Sequence, residues 1–263
     1  MANKTFWQVL NLLSFAGTLT LNGLANGLPI NGKDTGQLSD QYPNLFTPAG
    51  ITFAIWGFIY LLLAIFCGYQ ARDLFSRRKK DMPFLNRIGP LFVVSNLANM
   101  AWILAWHYEH VGLSLLLMGV LLGSLLLIYL RLETGRSTVR WQEQYFVRVP
   151  FSVYLGWISV ATIANSTAWL VDLGWRGSGV SEQVWAVLVV GVATLLALFM
   201  LAKRRDRAYG LVILWALAGI LLKRTHSDEP ASVLIVAIVV GMLLVATGAV
   251  VTGFRRQGLK NVG

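Results

Sequence analysis

Residues 111–130 carry the sequence VGLSLLLMGVLLGSLLLIYL, twenty consecutive residues without a charged side chain. An α-helix of that length is about 30 Å long, which matches the hydrocarbon thickness of a lipid bilayer. His110 precedes the run and Arg131 follows it, so polar groups stand at both boundaries. The run therefore predicts a transmembrane helix and indicates a membrane protein.

Similar apolar runs fill most of the remaining chain. We find seven more, at residues 6–27, 50–69, 88–107, 151–170, 184–201, 208–222 and 231–254. The first is longer than the apolar part of a usual signal peptide, so we expect it to be retained as a helix. The chain is 56% hydrophobic and only 13% charged, whereas soluble domains carry about 25% charged residues. The sequence predicts an all-α polytopic membrane protein with eight transmembrane helices.

The formal net charge of +10 is spread over short clusters between the apolar runs. Nucleic-acid-binding proteins instead present a continuous basic surface, so we expect no nucleic-acid partner. Eighteen of the 22 Lys and Arg residues lie on one side of the predicted membrane, in segments 1–5, 72–87, 131–148, 203–207 and 255–260. The positive-inside rule then places both termini in the cytoplasm of a multi-pass protein of the cell (inner) membrane.

Ionisable side chains are almost absent from the predicted spans. His107, Glu109, His110 and Asp172 lie near span ends, and none lies at a predicted bilayer centre. Ion-coupled pumps usually need carboxylates or histidines inside the membrane, so a proton-driven transporter is disfavoured. The sequence also lacks metal-binding, phosphate-binding and nucleophile motifs. We therefore expect no metal site, no catalytic residue and no enzymatic activity.

Tryptophan and amide side chains mark the interior of the predicted bundle. Five of the ten tryptophans lie near span ends, as in interfacial belts: Trp7, Trp106, Trp141, Trp175 and Trp185. Trp56 and Trp102 lie deeper. Trp157, Ala161 and Asn165 are spaced four residues apart and share one stripe of a helix. Such a cluster suits a flat, largely apolar ligand; plain helix packing is the alternative explanation.

Three short motifs lie in the second, third and fifth predicted helices. The first is FTPAG at residues 46–50, followed by Trp56 and Tyr60. The second is NMAW at residues 99–102, and the third is YLGWISVATIAN at residues 154–165. Together they resemble the helix-two, helix-three and helix-five signatures of the translocator protein family, also called tryptophan-rich sensory proteins (TspO). The resemblance covers roughly residues 6–172.

The resemblance implies a TspO-like five-helix bundle, residues 1–175, with a pocket beneath the loop between helices one and two. Family members bind tetrapyrroles such as protoporphyrin IX and haem, so we expect a sensor, receptor or carrier for such a flat, apolar molecule. The implied ligand-binding residues are Trp56, Tyr60, Asn99, Trp102, Tyr154, Trp157, Ala161 and Asn165, with Tyr42 and Phe46 in the lid loop. Beyond a bound porphyrin or haem no cofactor is required. Membrane lipid and the small ligand are the expected partners, and homodimers are common in the family.

Residues 176–263 hold three further predicted helices, which have no counterpart in the short members of that family. These helices lack interior amides, so we expect packing or interface helices and not a second pocket. They either occupy the surface used for dimerisation in short members, or they enlarge the bundle and alter ligand access. Two other functions stay open for the whole protein: facilitated diffusion of a small neutral solute and, less favoured, enzymatic breakdown of a bound pigment.

Overall fold

Every regular element in the described part of the computed structural model is helical. The structure describes residues 4–28, 30–175, 177–227 and 231–258; Arg176 and Lys260, two of the basic residues counted above, lie outside these ranges. The α-helices are α1 (Lys4–Gly27), α2 (Thr35–Asp40), α3 (Ile55–Ala71), α4 (Pro83–Ile88), α5 (Leu91–His107), α6 (Val111–Arg131), α7 (Trp141–Glu143), α8 (Val149–Asp172), α9 (Glu182–Arg204), α10 (Arg207–Thr225) and α11 (Ser232–Gly258).

The eight predicted apolar segments coincide with the eight long helices of the described chain, α1, α3, α5, α6 and α8 to α11. Six segments are long and apolar enough to cross a membrane: Gly50–Ala71, Val111–Arg131, Trp141–Asp172, Glu182–Arg204, Arg207–Thr225 and Ser232–Gly253. A shorter apolar helix, Leu91–His107, adds to them. The predicted all-helical polytopic membrane protein is confirmed, and the full count of eight spans stays a prediction.

Helix α10 is longer than the predicted segment 208–222, because capping and basic residues extend it at both ends. The carboxylate of Asp206 accepts a hydrogen bond from the backbone N–H of Tyr209 over 3.2 Å and so caps the first turn. Lys223 and Arg224 continue the helix through its last turn, where positive charge is favourable.

The helices form two packed groups joined by α10. In the first group α5 packs against α1 and α6, and α6 packs against α8; in the second, α9, α10 and α11 pack against one another. Helix α10 also packs along α8. Gly156 permits this approach, because a Cβ atom at that position would lie 3.1 Å from Cβ of Val212 on α10. The added helices are therefore attached to the helix that carries the Trp157 stripe mainly through α10.

The outer surface is apolar, as expected for a protein surrounded by lipid. Leu13, Leu116, Leu195 and Leu243 are each more than 60% exposed. In α1, polar side chains are buried inside the bundle. The buried residues of this helix are Gln8, Asn11, Phe15, Thr18, Asn22 and Ala25. We call this set the α1 seam; four of its six members are polar.

Candidate functional site

A small cavity of about 40 Å³ lies between α3, α5, α8 and the loop that precedes α3. Its lining residues are Thr35, Ser39, Pro48, Phe53, Trp56, Trp102, Trp106, Trp157, Val160, Ala161, Ala164 and Asn165. Five of the eight predicted ligand-binding residues are among them, namely Trp56, Trp102, Trp157, Ala161 and Asn165. We refer to it as the aromatic cavity.

Stacked and edge-on indole rings form the walls of the aromatic cavity. The ring centroids of Trp56 and Trp102 lie 5.7 Å apart in a near-parallel arrangement, and Trp157 meets Trp56 edge-on at 6.2 Å. Phe53 packs edge-on against Trp157 at 6.1 Å. Such pairs each stabilise a fold by about 0.5–1.5 kcal/mol beyond their area burial. Much of the predicted pocket is thus filled by its own aromatic side chains.

The Asn165 amide ties three helices together behind the cavity. Its Oδ1 accepts a hydrogen bond from Nε1 of Trp102 over 3.1 Å, and its Nδ2 donates to Oγ of Ser114 over 2.9 Å. These bonds link α8 to α5 and α6 and satisfy a buried amide that would otherwise be costly in an apolar interior. In this closed arrangement Asn165 acts as a structural tie.

The Trp157 indole presents an unpaired donor in the cavity wall. Trp157 is only 2% exposed, and its Nε1–H has no hydrogen-bond partner among the described residues. Buried polar groups are normally paired, and an unpaired one costs about 1–3 kcal/mol. The aromatic wall of the cavity therefore includes an indole whose N–H donor has no partner among the described residues.

Tyr60, Asn99 and Tyr154 were expected to bind ligand, but they do not line the aromatic cavity. They lie one helical turn closer to the side of the termini. Nδ2 of Asn99 donates to the Tyr154 hydroxyl over 3.0 Å, while Oδ1 of Asn99 accepts from Nδ2 of Asn22 on α1 over 2.7 Å. Asn99 and Tyr154 thus belong to a polar contact between α1, α5 and α8. Tyr60 on α3 instead stacks on Trp56, with ring centroids 5.7 Å apart.

The loop between α1 and α3 lies over the cavity, but the predicted lid residues Tyr42 and Phe46 do not line it. Tyr42 packs against Trp106 with ring centroids 5.8 Å apart. Thr35, Ser39 and Pro48 line the cavity instead. The reason is local, because α2 turns Thr35 and Ser39, four residues apart, to the same face.

Trp106 was assigned to the interfacial belt, and this assignment is wrong. Trp106 is only 6% exposed and lines the cavity, stacked on Trp102 at 6.4 Å. The loop above covers the helix end where a belt residue would meet the membrane surface. The four-residue spacing of Trp102 and Trp106 was the signal that both share one face of α5.

Helix α10 holds the loop segment that forms the roof of the cavity, residues 40–54. The backbone N–H of Ala49 donates to the Gly219 carbonyl oxygen over 3.0 Å, and Nε1 of Trp215 donates to the Thr52 carbonyl oxygen over 2.9 Å. Lys223 forms an ion pair with Asp40. The sequence predicted that the added helices pack against the bundle. Nothing in the sequence pattern predicted their contacts with the roof segment.

A family model described as TSPO-like protein matches residues 8–251. The matched region includes every helix around the aromatic cavity, and it continues through α9, α10 and most of α11. No curated protein and no solved structure matches this chain.

Proposed function

Because this chain belongs to the TSPO-like family, we propose that it is a membrane receptor, sensor or carrier that binds a flat, largely apolar small molecule in its aromatic cavity. A tetrapyrrole such as protoporphyrin or haem is the first candidate. The observation that carries the proposal is the unpaired, buried N–H of Trp157 in a wall of aromatic rings. Apolar walls with few polar groups are typical of small-molecule sites.

The cavity chemistry selects a planar ligand that carries a hydrogen-bond acceptor. The faces of Trp56 and Trp102 offer apolar area for stacking. A carbonyl or carboxylate oxygen of the ligand would accept from Trp157 and remove the cost of its unpaired donor. Ala161 leaves space in the same wall, since its side chain is only a methyl group.

The cavity must enlarge before such a ligand binds. Its volume is about 40 Å³, whereas sites for drug-sized ligands measure about 300–1,000 Å³. Since α10 as well as α5 and α8 contact the roof segment, we infer that ligand access requires the roof to move or the indoles to rotate. The proposed receptor would therefore bind its ligand in a more open arrangement than the one described.

The test is a titration of purified protein with protoporphyrin IX and with haem, followed by quenching of tryptophan fluorescence. Ala161→Phe should weaken saturable binding by about tenfold or more, because overpacking costs about 1–3 kcal/mol. Ala64→Phe is the matched control, because Ala64 is exposed on α3 and does not line the cavity. No saturable binding, or equal effects of both variants, would contradict the proposal.

A facilitative transporter of a small neutral solute is the second candidate. The polar α1 seam favours it, since buried polar side chains inside a bundle often mark solute pathways. Solute flux into proteoliposomes separates it from the receptor proposal.

The absence of enzymatic activity stays a prediction.

We further propose a location in the cell membrane with both termini in the cytoplasm, as the basic clusters indicate. Reporter fusions at each end test this orientation. The native mass in detergent decides whether α9–α11 occupy a dimer surface and leave a monomer; a dimer would contradict that idea.

A further inference from the structure

Two basic segments of the chain meet at the side of the termini. Residues 131–140 form the end of α6 and the loop after it, and residues 203–207 form the turn between α9 and α10. Gly135 lies against this turn, because a Cβ atom there would stand 1.7 Å from the Arg204 carbonyl oxygen. The φ of Gly135 is +78°, which glycine adopts without strain. The two segments are therefore in direct backbone contact, and we call them together the basic junction.

Buried side chains hold the basic junction in place from inside the bundle. Arg148 on α8 has no exposed surface, and its Nη1 and Nη2 donate to the carbonyl oxygen and the hydroxyl of Ser137 over 2.6 and 2.7 Å. On the other side, the Asp206 carboxylate accepts from the Tyr129 hydroxyl over 2.9 Å. The guanidinium of Arg204 lies 5.7 Å from the centre of the Tyr129 ring. The junction is thus preorganised, which lowers the ordering cost of binding a partner.

The basic junction carries positive charge that its own acids do not neutralise. Neither of its two acids is free, since Glu133 pairs with Arg87 over 3.8 Å and the Asp206 carboxylate is only 6% exposed. Six of its cations are exposed, and none of the six forms an ion pair within the described part of the chain: Arg131, Arg136, Arg140, Lys203, Arg205 and Arg207. The junction therefore offers a concentrated positive surface to an anionic partner.

Exposed apolar surface lies next to these cations. Leu126 and Leu130 are exposed in the last two turns of α6, and Leu195 and Phe199 are exposed in the last three turns of α9. A phospholipid has the same arrangement of groups, with a charged phosphate at the membrane surface and acyl chains beneath it. A soluble anion would match the charge of the junction but not the apolar surface beside it. The observations therefore favour a membrane lipid.

We propose that the basic junction binds the phosphate headgroup of an anionic phospholipid. Clusters of Lys and Arg at the membrane surface attract anionic lipids, and arginine donates paired hydrogen bonds to phosphate oxygens. No residue of the junction lines the aromatic cavity. The lipid site is therefore separate from the proposed tetrapyrrole site, and failure of one proposal leaves the other standing.

The basic segment at residues 72–87 provides an internal control. It also lies at the side of the termini, but there Asp73 pairs with Lys4, and Nζ of Lys79 donates to the Asp73 carbonyl oxygen over 3.2 Å. Arg77 and Arg78 are exposed in this segment. Replacing both by glutamine removes as much charge as replacing Arg136 and Arg205 does. The comparison therefore separates a defined site from a response to net charge.

Native mass spectrometry of the purified protein tests the proposal, with phosphatidylglycerol and phosphatidylcholine of identical acyl chains as probes. Wild-type protein should retain about fivefold more phosphatidylglycerol or better, because only this lipid carries a net negative charge. Arg136→Gln combined with Arg205→Gln should weaken phosphatidylglycerol binding by about tenfold or more. Arg77→Gln combined with Arg78→Gln should leave it nearly unchanged. Equal retention of the two lipids by wild-type protein, or equal losses in the two variants, would overturn the proposal.

A competition experiment separates a lipid site from a site for a soluble anion. Glycerol phosphate carries a phosphate without acyl chains, so at equal concentration it should not displace phosphatidylglycerol from wild-type protein. Displacement would assign the junction to a soluble anion and overturn the proposal. Both wild-type measurements need no variant, so they decide the question even if a substituted protein fails to fold.

Discussion

The indole nitrogen of Trp215 donates a hydrogen bond to the Thr52 carbonyl oxygen over 2.9 Å, although the two residues are 163 positions apart. Thr52 lies in the 3₁₀ turn Gly50–Ala54, next to Phe53, which lines the aromatic cavity. A helix from the last third of the chain therefore positions part of the cavity roof. The added helices contribute to the architecture of the site as well as to the bundle surface.

Trp215→Phe tests this roof contact, because it removes the donor and keeps an aromatic ring. We expect the free energy of unfolding to fall by about 1 kcal/mol and a bound porphyrin to dissociate faster. Thermal melting and stopped-flow fluorescence measure the two effects. Trp141→Phe is the control, since Trp141 is 61% exposed and does not line the cavity. If both variants behave alike, the Trp215 bond does not hold the roof.

Gly219→Ala tests the close approach of α10 to the same turn. A Cβ atom at Gly219 would lie 2.0 Å from Oγ1 of Thr52, so the helix and the turn must separate. We expect a loss of about 1–3 kcal/mol in stability, measured by thermal melting. Gly119→Ala is the matched control, because nothing lies within 4 Å of a Cβ atom there. A similar melting temperature for both variants would contradict the tight contact.

The long apolar helices could be predicted from the sequence because their signal is local. Run length and charge identify a membrane helix without knowledge of its neighbours. The deep positions of Trp56, Trp102 and Trp157 followed from their places within those runs. Trp106 lies near the end of its run, so the same criterion predicted an exposed position. It is buried because a loop covers the helix end.

The sequence contained no comparable signal for the small volume of the cavity or for the contacts between its roof and α10. Whether indoles leave a pocket or fill it depends on ring orientations that spacing does not fix. Contacts such as those of Trp215 and Gly219 join distant parts of the chain, so the residue pattern within a single helix does not predict them. Tyr42 and Phe46 do not line the cavity for a related reason, since the short helix α2 brings Thr35 and Ser39 to its lining instead.

Asp206→Asn tests the link between the two helix groups. The buried Asp206 carboxylate accepts hydrogen bonds from the hydroxyl of Tyr129 on α6, over 2.9 Å, and from Ser152 on α8. Hydrogen bonds to a charged group contribute about 1.5–3 kcal/mol, and we expect a loss of that order in the free energy of unfolding. Asp81→Asn, at an exposed position, is the control in the same melting assay. Equal stability of the two variants would refute the link.

Asp73 carries a strongly stabilised carboxylate just beyond the end of α3. It is 1% exposed and accepts hydrogen bonds from Nζ of Lys4 and the backbone N–H of Lys80, both over 2.5 Å, and from Nε2 of Gln8. Burial by itself raises the pKa of the Asp73 carboxyl, but the bonds from Lys4, Lys80 and Gln8 lower it further than burial raises it. Its pKa in the folded protein therefore lies well below the ordinary value.

This depressed pKa predicts acid sensitivity with a defined sign. The unfolded chain binds a proton at Asp73 near the ordinary pKa of about 3.9, whereas the folded protein does not. The stabilisation is therefore complete above about pH 4 and declines below it, by up to about 1.4 kcal/mol per pH unit. Asp73→Asn should be less stable at neutral pH and should show a shallower decline between about pH 4 and 2.5. Melting temperatures across that range measure both effects, with Asp81→Asn as the control; an unchanged slope in Asp73→Asn would show that other carboxylates cause the acid sensitivity.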